Sequence, residues 1–300
     1  MERFEQLAKR LNEVCPGLEL RPFEPMSSHT SFHIGGPARL MALPVDTEQA
    51  VCAVRAAAEL GITPFFMGNG SNLLVPDEGV EQFIIKTSGM KGCVVEGTAV
   101  TAECGITLAR LAVLARDAGL TGLEFAHGIP GSLGGAVTMN AGAYDGEMAQ
   151  VVVGVTCLNA DGSVEQAEEF DFAYRHSAFS DGRRMILSAR MELAPGDPVA
   201  VTARMDELAV RRRDKQPLEY PSAGSMFKRP VGHFAAALID RCGLKGLQVG
   251  GAQVSEKHAG FVVNRGGATC ADVLALVEQV RRKVHEATGV ELEMEVKVLD

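Results

Sequence analysis

The sequence predicts an α+β protein of at least two structural units. Helical and strand patterns both recur along the chain. Three hundred residues exceed one ordinary domain core. A Gly-Asp-Pro at 196–198 marks a boundary between a front part of about 195 residues and a smaller rear part.

The elements follow in order. Residues 46–61, "DTEQAVCAVRAAAELG", read as a helix with Asp46 or Thr47 as cap and Gly61 at its end. "TPFFMG" reads as a short strand, "NGSNLLVPDEG" as a loop, and "EQFIIKT" and "TAVTAECG" as strands. "TLARLAVLARDAG" reads as a helix from Thr107 to Gly119. "VVVGVTCL" and "VEQAEEF" form a hairpin around "NADG", and "RMILSARMEL" is a further strand. Beyond Pro198 come a helix in "VTARMDELAVRRRDK", a helix in "HFAAALIDRCG", a strand in "GFVVNRG", a long helix at 269–289, and a closing strand in "VELEMEVKVL".

Composition narrows the function. Hydrophobic content of 46% and charged content of 22% are those of an ordinary globular protein. A net charge of −9 and the absence of Trp argue against a nucleic-acid partner. The seven cysteines are odd in number and widely spaced, with no C-x-x-C. That predicts neither a disulfide framework nor a zinc site, and fits a reducing cytoplasm. The start is charged and amphipathic, and no apolar run predicts membrane insertion. Nothing points to an obligate protein partner.

Glycine concentrates in "IGGPA", "GNGSNLL" and "GIPGSLGGAVTMNAGAYDG". Bare backbone N–H groups in tight turns make anion-binding concavities. Ser71, Asn72, Ser132 and Asn140 add side-chain hydrogen bonds. One such loop is as readily a plain turn; three in one half point to a phosphorylated cofactor. Neither common scaffold holds it. "GNGSNL" puts Leu73 where a dinucleotide fingerprint needs glycine, and no Walker lysine is present.

Elsewhere, Arg175 in "FAYRHSAF" offers a bidentate fork for a carboxylate or phosphate, although a surface arginine on a turn is the plainer reading. Glu291, Glu293 and Glu295 alternate with apolar residues as on a solvated edge strand. Ser225, in "YPSAGSMFKRP", has small neighbours and nearby basic residues but no triad context. His33 and His127 lack metal-ligand company, and no metal is expected. From the residues alone, the chain binds a phosphorylated cofactor and a second anion.

Six motifs in order add more: "HTSFHIGGPARL", "GNGSNLLV", "GIPGSLGGAVTMNAGAY", "YRHSAF", "AGSMFKRP" and "LEMEVKVL". Together, from about His29 to the C-terminus, they resemble the UDP-N-acetylenolpyruvoylglucosamine reductase family of bacterial peptidoglycan synthesis. The resemblance implies a vanillyl-alcohol-oxidase/PCMH-type FAD-binding fold of two subdomains, 1–86 and 87–197, followed by a substrate-binding domain, 198–300. It implies non-covalent FAD, NADPH as hydride donor, a bacterial cytoplasmic location, and reduction of an enolpyruvyl ether to a lactyl ether.

It also implies roles. Ser225 resembles the family's proton donor, and Arg175 and Glu295 its other catalytic residues. FAD contacts are expected from Gly36; from Gly68, Asn69, Gly70, Ser71, Asn72 and Leu73; and from Gly128, Ile129, Gly131, Ser132, Gly134, Gly135, Asn140 and Gly142. Substrate contacts are expected from Tyr174, Lys215, Lys228 and Arg229. Arg229 stands where the family pattern "GSxFKNP" has Asn. With the short interval between Pro198 and Ser225, this resembles the compact branch that lacks a tyrosine-bearing insertion, so Tyr220 is given no substrate role. Two alternatives remain at this stage: a flavin oxidase with FAD attached through His33 or His127, and a non-enzymatic UDP-sugar-binding module.

Overall fold

The computed structural model describes residues 3–299. The chain divides into two compact units. One comprises the residues up to Phe23, Arg39–Asn69 and Gln82–Arg211. The other comprises Glu24–Ala38, Gly70–Glu81 and the residues from Arg212 on. The second unit thus takes in two excursions from the front of the chain, which a linear division at 86 and 197 leaves out.

The first unit holds helices α1 (Arg3–Val14), α2 (Thr47–Glu59), α3 (Leu108–Asp117) and α4 (Leu133–Thr138). The caps of α2 and α3 are those the sequence predicts. Asp46 accepts from the Gln49 amide at 2.9 Å, and Thr107 from the Arg110 amide at 3.3 Å. A five-stranded antiparallel sheet runs in the order Val164–Gln166, Val152–Leu158, Met185–Glu192, Ala99–Glu103, Cys93–Glu96. A second, four-stranded sheet runs Glu19–Pro25, Pro37–Leu43, Val80–Lys86, Pro64–Met67, its last pair parallel. Leu7, Leu11, Phe83, Ile85, Leu111 and Val155 are among the buried residues of one continuous core. Helix α5 (Pro198–Lys215) follows.

The second unit pairs a four-stranded antiparallel sheet with helices α6 (Ala235–Arg241) and α7 (Cys270–Thr288). The strand order is Ser222–Ser225, Phe261–Asn264, Ala252–Val254, Gln248–Val249. Helix α7 starts at a reciprocal cap between Thr269 and Asp272 and ends at Gly289, φ +72°. Val273, Leu276, Val277, Val280 and Val284 recur at helical spacing on its buried face. Each contributes about 1.5–3 kcal/mol by leaving water.

Two expectations change. "VELEMEVKVL" does not form a continuous strand: only Lys297–Val298 is a strand, paired in parallel with Leu73–Leu74, and Met294 makes a single bridge to Phe227. The third glycine-rich segment, read from the sequence as a loop, contains α4. Among the described residues no helix is long and apolar enough to cross a membrane.

Candidate active site

Ser225 ends a bulged strand of the second unit. Ser222 pairs with Val263 and Ser225 with Phe261, so the Ser225 strand carries one extra residue. Gly224 takes up the difference at φ +80°. Nothing lies within 4 Å of where its Cβ would stand, so glycine is required by the backbone angle rather than by space. Beyond the bulge the Met226 amide donates to the Gly260 carbonyl (2.8 Å), and the Glu295 amide donates to the Met226 carbonyl (2.9 Å). The Lys228 amide donates to the Glu293 carbonyl at 2.9 Å. This antiparallel ladder sets Glu295 beside the residue that follows Ser225.

Asn72 fastens the same segment. Its Nδ2 donates to the Glu295 carbonyl at 3.1 Å, and its own carbonyl accepts from the Lys297 amide at 3.0 Å. Glu295 is therefore held through both backbone groups. Ser31 adds a third brace, its Oγ donating to the Ser222 carbonyl at 2.7 Å.

Arg175 lies in the first unit, on a tight turn. Ala173 and His176 exchange both amide–carbonyl bonds at 3.1 Å, leaving Tyr174 and Arg175 as the two loop residues. Arg175 has φ +56°, at the corner where a type II turn favours glycine. An arginine there costs about 1–2 kcal/mol of backbone strain. Its guanidinium carbon lies 5.4 Å from the centre of the exposed Tyr174 ring. The turn is anchored from outside: Asn140 Nδ2 donates to the Ala173 carbonyl at 3.2 Å, while Asn140 Oδ1 accepts from the Ala149 amide at 2.9 Å. Ser177 and Ser180 both donate to the Thr138 carbonyl. Asn140 is itself buried and in a left-handed conformation. It serves as a clamp between the third glycine loop and the Arg175 turn.

The glycine loops separate by what their glycines touch. A Cβ on Gly36 would lie 2.3 Å from the Asp77 carbonyl oxygen, and one on Gly134 would lie 2.9 Å from the Cys104 Cβ. Both positions need glycine for packing. Gly142 is similarly tight against Gly146 and Glu147. Gly68 differs: its Cβ would fall 2.1 Å from Ser132 Oγ. That hydroxyl is buried, has no hydrogen-bond partner, and does not cap α4 although Ser132 is the N-cap residue. An unpaired buried hydroxyl costs about 1–3 kcal/mol, which a ligand oxygen accepting its proton removes. Asn69 and Ile129 are half-buried, and Gly128 and Gly135 are exposed. Gly131 adopts φ +148° while its carbonyl accepts from the Leu108 amide. These features of the first unit fit a phosphate-bearing cofactor. Gly36, Gly70, Ser71, Asn72 and Leu73 fall in the second unit, where the Gly70 carbonyl accepts from the Ser31 amide and Leu73 is buried in a strand.

The remaining substrate candidates lie in the second unit, except Tyr174. Lys228 is ion-paired with Glu293. Arg229 is exposed, with its guanidinium over the Phe234 ring at 4.7 Å. Tyr220 is stacked under Arg265 at 4.1 Å, a packing role. Lys215 is exposed, and its charge, with that of Lys245, is felt by His258. His258 was not among the residues singled out from the sequence. Its Nδ1 accepts from the Gly260 amide at 3.2 Å, and its ring meets Phe261, the partner of Ser225, edge-on at 5.0 Å. Burial first, then the two lysines, push the His258 pKa below the usual 6.5. Lys257 joins this basic group, with its Nζ donating to the Arg213 carbonyl at 2.6 Å. His33 is exposed and left-handed, and His127 is half-buried.

Comparison with known proteins gives consistent matches along the chain. Residues 38–168 match the model of an FAD-binding domain. Residues 216–299 match that of the UDP-N-acetylenolpyruvoylglucosamine reductase C-terminal domain. The UDP-N-acetylenolpyruvoylglucosamine reductase of Limosilactobacillus fermentum is 47% identical over 97% of this chain and 98% of its own. That of Caldanaerobacter subterraneus subsp. tengcongensis is 44% identical over 98% of both. The crystal structure of the Thermus caldophilus enzyme superposes with a TM-score of 0.80 at 36% identity, covering 94% of this chain and 99% of that one. Alkyldihydroxyacetonephosphate synthase, at 16% identity and a TM-score of 0.50, shares the fold over 65% of this chain and 41% of its own.

Proposed function

The chain belongs to the UDP-N-acetylenolpyruvoylglucosamine reductase family of FAD-dependent oxidoreductases, with a vanillyl-alcohol-oxidase/PCMH-type FAD-binding fold and a C-terminal domain of the family's own, and on that premise we propose that it reduces UDP-N-acetylenolpyruvoylglucosamine to UDP-N-acetylmuramate with NADPH, a step of peptidoglycan precursor synthesis. The observation that carries this reading is identity of 44–47% over nearly the whole length of chain and relatives.

FAD, when bound, would supply the redox chemistry, hydride transfer from NADPH to the enolpyruvyl ether. Ser132, beside Gly68, is the residue of the first unit best placed to hold its phosphates. The protein's own chemistry concerns charge and a proton. As hydride adds, negative charge develops at the α-carbon and spreads into the substrate carboxylate. The Arg175 guanidinium pairs with that carboxylate and stabilises charge that grows toward the transition state. The turn fixes its backbone, so little reorganisation accompanies the change. Glu295 is the third residue of this set, and in its carboxylic-acid form it would donate a further hydrogen bond to the same group. The Ser225 hydroxyl then delivers a proton to the α-carbon. Serine is a weak acid in water, but beside a strongly basic carbanion, with cations to stabilise the alkoxide, it serves. Lys215, Lys228 and Arg229 offer positive charge to the diphosphate.

An anaerobic visible spectrum tests the reading. The purified protein should show flavin bands that NADPH bleaches and the enolpyruvyl sugar restores. Bleaching without restoration would remove the substrate from the proposal, and absence of flavin uptake would remove the chemistry.

A further inference from the structure

The Ser225 strand is fastened at its reactive end by one short stretch of neighbouring chain, within the second unit. Ser225 pairs with Phe261, and the Met226 amide donates to the Gly260 carbonyl at 2.8 Å. The register shifts between Ser222 and Ser225, so the ladder resumes at this point. What holds Gly260 and Phe261 therefore holds Ser225. His258 holds both. Its Nδ1 accepts from the Gly260 amide at 3.2 Å, its carbonyl accepts from the Phe261 amide at 3.0 Å, and its ring meets the Phe261 ring edge-on at 5.0 Å. Gly260 is also confined sideways: a Cβ there would stand 3.1 Å from His258 Cε1 and 3.3 Å from the Ala236 Cβ. His258 is itself anchored, its amide donating to the buried Ser255 hydroxyl at 3.2 Å. A backbone amide can only donate, so the Nδ1 that faces it carries no proton and the ring is the neutral Nε2–H tautomer.

We propose, on the assignment of proton delivery to Ser225 made above, that His258 is a positioning residue: its neutral imidazole, through Gly260 and Phe261, holds the serine in reach of the α-carbon, and protonation of Nδ1 releases it. A proton on Nδ1 would set two donors face to face and leave the Gly260 amide without its acceptor. The surroundings resist that proton. Burial opposes it most, and the charges of Lys245, in the loop after α6, and Lys215, at the end of α5, oppose it further. Lys245 is paired with Asp240 at 2.9 Å, and Lys257, next to His258 in the chain, has Glu219 at 3.9 Å. Glu256 is exposed, and Glu295 lies beyond the Ser225 strand, its amide on the Met226 carbonyl. The acid transition of His258 therefore falls below the usual 6.5, and the neutral, holding form prevails at pH 7.

The two half-reactions of the full-length, FAD-loaded protein separate this role from a merely structural one. Stopped-flow absorbance reads bleaching by NADPH, then restoration by saturating UDP-N-acetylenolpyruvoylglucosamine. His258→Ala should slow restoration roughly 10–100-fold, since a misplacement of about 1 Å suffices, and leave bleaching near normal. His258→Asn, whose Oδ1 takes the place of Nδ1 but does not titrate, should recover most of that loss at about pH 7.5. The ratio of Asn variant to wild type in restoration should then climb as pH falls below 6.5, with no such climb in the ratio for bleaching. Titration of Glu295 or of the flavin is common to both proteins and cancels in that ratio. A flat restoration ratio, or an equal climb in both half-reactions, would overturn the proposal. So would variants whose KM for the sugar rises while the saturated rate is kept, which would make His258 a substrate contact instead. A wild-type flavin that bleaches and is never restored would sink the reduction itself, and the role of His258 with it. The Asn ratio decides by itself if His258→Ala folds poorly.

Discussion

Arg175 sits in a backbone conformation that its own side chain resists. Glycine would relax it, so Arg175→Gly should raise Tm by roughly 2–4 °C while removing turnover. A stabilised but inactive variant is the signature of strain kept for function; an unstabilised one would show the turn to be indifferent to residue type. Arg175→Lys keeps the strain and loses the fork, and kcat should fall about 100-fold. Ser225→Ala should leave flavin bleaching by NADPH near normal and slow the restoration step by about 10²–10⁴-fold; equal losses in both half-reactions would remove Ser225 from proton transfer. The sequence made these residue types visible as chemistry. It did not reveal their posture. A left-handed arginine and the bulge at Gly224 are imposed by partners far along the chain, such as Asn140 and Phe261. Asn72 and Asn140 were legible as hydrogen-bonding residues, but much of that capacity goes to the protein's own backbone.

Among the elements, the strongly periodic ones were readable and the glycine-rich ones were not. Helices α2, α3 and α7 announce themselves through capping residues and apolar spacing. Helix α4 contains Gly134 and Gly135, poor helix formers, and packing decides it: the Gly134 amide donates to the Cys104 carbonyl and the Leu133 amide to the Ile106 carbonyl. The closing strand failed for the opposite reason. Its alternation of Glu with apolar residues has the right period, yet Glu291 to Glu293 find no strand partner of matching length. The contact of Gly68 with Ser132 gives a test at this level. Gly68→Ala should destabilise the apoprotein by about 1–3 kcal/mol through overpacking. Adding Ser132→Ala removes the clashing oxygen and should recover most of that loss while weakening FAD retention. Chemical denaturation reads the first effect and flavin release by dilution the second. A double variant as unstable as the single one would place the clash elsewhere.

For the molecule as a whole, the length, charge and cysteine pattern limited the class, whereas the assembly of the second unit from three stretches of chain was invisible in the sequence. That unit carries the clearest pH dependence. The folded His258 has a pKa below 6.5, so between that depressed value and 6.5 the unfolded chain binds more protons than the folded one. His258 therefore leaves folding unopposed above about pH 6.5; stability declines as pH falls from 6.5 toward the folded value and levels off below it. His258→Gln should flatten the decline between pH 7 and pH 5 in urea titrations; an unchanged slope would assign it to other groups. Finally, the pairing of Leu73–Leu74 with Lys297–Val298 has a consequence for how the protein is made. About 220 residues separate these partners, and at roughly 5–20 residues per second a ribosome takes about 10–40 s to deliver the second strand after the first. Through that interval Phe32, Ile34 and Leu74 emerge without the C-terminal half of the core they will join. The nascent chain thus carries an apolar segment that must be sheltered while synthesis catches up, until Lys297–Val298 arrives to pair with Leu73–Leu74.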